Sequence, residues 1–125
     1  MKDGKHLVLC VDDDADILDS LKLVLEANGY AFLGAHNAED GLKVYKAEKP
    51  DFVVVDLMME EVDAGTGLVK DLKLEGNTAP VYMLTSVGDE LNKSIDSAAL
   101  GLSGVFQKPV DNDTLLSTLK TKLKA

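Results

Sequence analysis

Five polar residues of this 125-residue chain stand where apolar runs end. Asp12 and Asp13 follow His6-Leu7-Val8-Leu9-Cys10-Val11, and Asp56 follows Phe52-Val53-Val54-Val55. Thr85 follows Val81-Tyr82-Met83-Leu84, and Lys108 follows Gly104-Val105-Phe106-Gln107. Three carboxylates brought to one place repel each other and do not all stay ionised without a cation. Oxygen ligands suit a hard ion, and a few carboxylates completed by water and a phosphoryl oxygen suit Mg²⁺, at about 2.1 Å in octahedral geometry. An amine and a hydroxyl beside them would stabilise an in-line phosphoryl-transfer state. The nucleophile would be a carboxylate, since Asp can form an acyl phosphate. Asp12 and Asp13 share one run end and can hold the metal, which leaves Asp56 as the nucleophile. Taken singly, each residue has a plainer reading: an Asp after a strand as turn former or helix N-cap, a Thr as a strand-end hydroxyl, a Lys-Pro as surface loop. Five such groups, in order at the ends of four runs, are not what capping alone produces.

The runs must be strands of one sheet for these groups to meet. Phe52 to Asp56 has no polar face, so both of its sides must be covered, the pattern of a central parallel strand between helices. His6 to Val11 has the same character. Tyr30 to Ala35 is a shorter, weaker strand suited to an edge. Between the strands, apolar residues recur at helical spacing: Ile17, Leu18, Leu21, Val24 and Leu25 in a first helix that Asn28-Gly29 stops. A second helix, capped by Asn37 with Asp40 in its first turn, turns Leu42 and Tyr45 inward and ends at Lys49-Pro50. Residues 57–67 read as loop, because Asp63-Ala64-Gly65-Thr66-Gly67 carries two glycines. Leu68, Val69 and Leu72 begin a third helix ending near Glu75-Gly76-Asn77. Leu91, Ile95, Ala98 and Ala99 mark a fourth, less hydrophobic one stopped by Gly101. Asp111 caps the last, whose stripe is Leu115, Leu116, Leu119 and Leu123, with Lys120, Lys122 and Lys124 near its negative end. Five strands alternating with five helices imply an α/β doubly wound parallel sheet. Central first and third strands give the flavodoxin-like order 2-1-3-4-5, with ligands expected at the carboxyl ends near the switch point.

Composition bounds the function classes. One domain spanning 1–125 fits the length, and 46% hydrophobic residues supply an aliphatic core with only six aromatics, three Phe and three Tyr. A net charge of −9 argues against nonspecific nucleic-acid or anionic-membrane binding, which needs a basic face. The single cysteine, Cys10, lies inside an apolar run and reads as a small core residue. With no internal disulfide possible and no run near the roughly 20 apolar residues of a membrane span, a cytoplasmic setting is expected.

With these residues in place, the chain resembles the receiver domain of two-component response regulators over nearly its whole length. The motifs are Leu7-Val8-Leu9-Cys10-Val11-Asp12-Asp13-Asp14, Val53-Val54-Val55-Asp56-Leu57-Met58-Met59, Leu84-Thr85-Ser86 and Lys108-Pro109. The resemblance implies that Asp56 accepts phosphate from a phosphohistidine, that Asp13 binds Mg²⁺ directly and Asp12 through water, and that the Met58 backbone carbonyl completes the metal ligands. Thr85 would contact the phosphoryl group, Lys108 would pair with it, and the Lys108-Pro109 bond would be cis. The implied partners are a sensor histidine kinase or histidine phosphotransfer protein and a downstream protein, with no nucleic acid, no membrane, and a homodimer on phosphorylation as a possibility. The chain departs from the family pattern at Glu60, where Pro is usual, in a loop about two residues longer before the third helix, and at Val105, where an aromatic switch residue is usual. Phe106 should turn to the opposite face, into the core. Val87 and the Met58 side chain are expected to flank the path of water toward the phosphate. The alternatives are a small Mg²⁺-dependent aspartyl-phosphate phosphohydrolase, which Met58 opposes by standing where a second acid would be needed, and a receiver-like interaction module that is never phosphorylated, which the intact acidic set opposes.

Overall fold

The computed structural model describes residues 4–56, 64–85, 103–107 and 110–123. Five parallel strands, β1 (Leu7–Val11), β2 (Ala31–Ala35), β3 (Phe52–Asp56), β4 (Val81–Thr85) and β5 (Gly104–Gln107), form one sheet in the order β2-β1-β3-β4-β5. Among the described residues four helices accompany them: α1 (Ala15–Ala27), α2 (Ala38–Glu48), α3 (Ala64–Leu74) and α4 (Asn112–Leu123). The helix expected around residues 91–99 lies outside the described residues.

The sheet is covered on both faces, as its all-apolar centre requires. Alternation along each strand sends Leu9, Val11, Val53, Val55, Val81 and Met83 to the face under α2 and α3, where they meet Leu68, Val69 and Leu72. Val8, Cys10, Val54, Tyr82, Leu84 and Phe106 turn to the other face, against Leu18, Leu21 and Leu25 of α1 and Leu115 and Leu119 of α4. Every residue of β1, β3 and β4 is buried. Each fully buried Val, Leu or Phe contributes roughly 1.5–3 kcal/mol, so these three strands give the groups at their ends a firmly packed support.

Local signals set the helix ends. The Asp14 side chain caps α1 by accepting from Asp16 N at 2.9 Å, and Gly29 follows the C-cap with φ +85°, the left-handed geometry glycine accepts freely. Asn37 Oδ1 accepts from Asp40 N at 2.7 Å while Asn37 Nδ2 donates to Asp40 Oδ2 at 3.1 Å. Asp111 Oδ2 accepts both the N–H and the hydroxyl of Thr114 at the start of α4. One boundary departs from expectation: α3 begins at Ala64 and takes in Gly65, Thr66 and Gly67, which the two glycines had marked as loop. Glycine weakens a helix by only about 1 kcal/mol, and Leu68, Val69 and Leu72, all buried, anchor the helix that these residues extend.

Two glycines are there for space. A Cβ on Gly41 of α2 would stand 2.9 Å from Val11 Cγ2, so the missing side chain lets α2 settle on β1 one residue before Asp12. A Cβ on Gly104 would stand 2.5 Å from the Tyr82 ring. That ring stacks on Phe52 on one side, centroids 5.2 Å apart, and on Phe106 on the other, 4.7 Å apart. One aromatic row therefore crosses β3, β4 and β5.

Candidate functional site

The acidic residues meet where β1 and β3 end. Val11 pairs with Val55 in the parallel register, so Asp12 and Asp56 follow side by side. Alternation gives Asp12 the side of Cys10, and Asp56 the side of Val54, both on the face covered by α1 and α4. Ligand oxygens of Asp12, Asp13 and Asp56 all lie within 4.8 Å of one another. Asp12 is 0% and Asp56 3% exposed, whereas Asp13 is open to solvent. Three clustered carboxylates at a half-open mouth fit a hard, oxygen-seeking divalent ion that keeps water in its shell.

The backbone holds the buried acid in place. Asp12 N donates to Ala35 O of the edge strand β2 at 3.0 Å, and Asp12 Oδ1 accepts from Asp14 N at 2.9 Å. The Asp14 N–H is thus a site contact that its reading as a turn former or cap did not include. Burial first, and then the charge of Asp12, push the Cys10 thiol far above its ordinary range, so Cys10 is an inert core residue.

Thr85 closes β4 at the same edge of the sheet, 7% exposed. Its register partner is Gln107, and the residue before it, Leu84, is the partner of Asp56. Lys108 follows Gln107 in sequence. Lys108 itself, its bond to Pro109, Met58, Ser86, Val87 and the loop around Glu60 lie outside the described residues. Val105 is 38% exposed while Phe106 is 4% exposed against Tyr82, so the aromatic of β5 is a core residue and the exposed position beside it carries a short aliphatic. Among the described residues, no helix is long and apolar enough to cross a membrane.

Residues 8–120 match the response regulator receiver domain family. A response regulator receiver domain protein of Methanospirillum hungatei, CheY-like, superposes with a TM-score of 0.86 at 32% identity, covering 97% of this chain and 95% of that one. The probable transcriptional regulator ycf27 of Porphyridium aerugineum is 32% identical over 96% of this chain and 49% of its own length. The transcriptional regulatory protein GlrR of Escherichia coli is 34% identical over 95% of this chain and 26% of its own. The chain thus spans half or less of the length of these curated relatives. They overturn one expectation, that nucleic acid has no part in the output: both relatives are named as transcriptional regulators. The charge of −9 describes the surface of these 125 residues alone and says nothing of what a longer relative contacts through the rest of its chain. The phosphohydrolase alternative gains no support from these similarities.

Proposed function

This chain belongs to the response regulator receiver domain family, and from that premise we propose that it is a phosphorylation-operated switch whose phosphoacceptor is Asp56. One observation carries the reading: Asp56 ends the central strand β3, with Asp12 and Asp13 close enough to share a cation with it. In the proposed step an Asp56 carboxylate oxygen attacks the phosphorus of a phosphohistidine in line. The new O–P bond forms as the P–N bond breaks, and the leaving imidazole keeps the electron pair and takes its proton from solvent. Asp12, Asp13, Asp56 and the Met58 carbonyl would hold Mg²⁺, which when bound supplies charge neutralisation at the transferring phosphoryl group. Thr85 offers a hydroxyl donor from the end of β4, and Lys108 a positive charge after β5. The acyl phosphate adds charge to a buried strand end, and drawing Thr85 and Lys108 toward it would change the outer surface of the last strand–helix units. The proposed chemistry ends with transfer to, and hydrolysis of, the chain's own acyl phosphate, the cycle of a signalling switch. A single buried cysteine fits a reducing cytoplasm as the place where it operates.

The test is incubation with acetyl phosphate, with and without Mg²⁺, read by intact mass. One added phosphate that needs Mg²⁺ and disappears in Asp56→Asn is expected. An adduct that persists in Asp56→Asn, or none in the parent, would overturn the assignment.

A further inference from the structure

At the opposite end of the sheet from Asp56 lies a cleft of about 710 Å³ that the phosphoacceptor chemistry does not use. It opens between the start of β1, the α2–β3 turn, the α3–β4 loop and the end of α4, within the size range of small-molecule sites. Four basic side chains line it, His6, Lys46, Lys49 and Lys122, against two acids, Asp51 and Glu75. In a chain of net charge −9 this is a local reversal of sign.

Both acids already have donors. Asp51 Oδ2 accepts from Leu7 N at 2.8 Å, and Glu75 Oε1 lies 3.2 Å from Lys46 Nζ. Lys49 and Lys122 have no carboxylate within ion-pair distance among the described residues. Lys49 also sits in a costly conformation, φ +49° and ψ +68°, at the C-cap where glycine or asparagine is favoured. A left-handed residue with a side chain is strained, and such strain collects at binding sites. On the floor, His6 Nδ1 is buried without a hydrogen-bond partner, 3.9 Å from Asp51 Oδ2.

The remaining wall is preorganised and partly apolar. Asn77 Oδ1 accepts from Tyr45 Oη and from Ala79 N, both at 3.0 Å, while Asn77 Nδ2 donates to Ala79 O at 2.9 Å. The loop is thereby fixed against α2 before any ligand arrives, which lowers the ordering cost of binding. Pro80 and Leu123 give the same cleft apolar surface.

We propose that this cleft binds a small organic anion, its phosphate or carboxylate group held by Lys49 and Lys122 and its apolar body resting on Pro80 and Leu123. The test is an amide chemical-shift titration of the full chain without Mg²⁺, so that the acidic cluster takes up no phosphate, using phenyl phosphate and phenylacetate as probes. Saturable shifts at Lys49, Asn77, Ala79 and Leu123, with a Kd of about 1 mM or tighter, are expected for at least one probe. The tighter probe names the anion. Affinity should fall about tenfold or more in a Lys49→Gln/Lys122→Gln variant whose spectrum stays folded. Shifts that never saturate, or an affinity unchanged in that variant, would overturn the assignment. This readout is independent of phosphate transfer to Asp56.

Discussion

Asp14 donates its backbone N–H to Asp12 Oδ1 across 2.9 Å, while its own carboxylate accepts from Asp16 N at the start of α1. One residue therefore orients a buried acid of the site through its main chain and starts a helix through its side chain. The two roles separate by mutation. Asp14→Ala removes the cap and should cost about 1 kcal/mol of stability, but it keeps the N–H that faces Asp12. Asp12→Asn keeps the cap and changes the site. Urea unfolding and Mg²⁺ titration on both variants should show a stability loss with near-parent Mg²⁺ affinity in the first, and an affinity loss in the second. Equal affinity losses would contradict the division.

Ligand oxygens of Asp12, Asp13 and Asp56 lie within 4.8 Å of one another, a distance at which like charges repel. Asp13→Asn removes one charge at the exposed position and should raise stability without Mg²⁺ by on the order of 1 kcal/mol. The parent should gain about 2.7 kcal/mol at a Mg²⁺ concentration of 100 times its Kd, and the variant much less. Thermal melts with EDTA and with Mg²⁺ measure both. A parent melting point indifferent to Mg²⁺ would count against the cluster as a cation site.

The two neighbouring side chains of β5 should behave oppositely. Phe106 is buried against Tyr82, and Phe106→Ala should cost about 3–5 kcal/mol. Val105→Ala, at an exposed position, should stay within about 0.5 kcal/mol. Denaturant midpoints of the pair check this. A large loss at Val105 would mean that its side chain has contacts beyond those of an edge residue.

Burial, and then the charge of Glu75, hold the Tyr45 phenol above its ordinary range. A raised folded-state pKa means that the stabilising share of Tyr45 is complete below the unfolded value of about 10 and is lost as pH rises through the folded value. Ionisation also removes the hydroxyl proton donated to Asn77. Unfolding midpoints should thus fall above about pH 10, and Tyr45→Phe should fall less steeply there while starting lower by about 1 kcal/mol at neutral pH. Tyr30, raised by burial alone, keeps part of the decline in both proteins. Parallel declines would assign the effect elsewhere.

The strands and the acidic cluster were readable in the sequence because each rests on local chemistry. Three consecutive valines before Asp56 demand cover on both faces, and a second such run before Asp12 demands adjacency. Asn28-Gly29, Asn37 and Asp111 mark helix ends by side-chain and backbone rules that act within a few residues. What was not readable depends on segments far apart in the chain. The start of α3 at Ala64 overrides the glycines on either side of Thr66, because burial of Leu68 and Leu72 outweighs propensity. The need for glycine at position 41 arises from Val11, thirty residues earlier in the sequence and 2.9 Å from the Cβ that Gly41 lacks. The basic cleft draws on four separate segments, and no spacing along the chain announces it.

The Tyr82 ring lying over Gly104 has a further consequence for the edge of the sheet. Tyr82 and Gly104 are register partners, and β5 is only four residues long, with little pairing to resist sliding. A slip by one residue would set Ser103 or Val105 opposite Tyr82, and either side chain would intrude where the ring now lies. The aromatic row thus works as a detent: it admits β5 in one alignment, and that alignment places Gln107 beside Thr85.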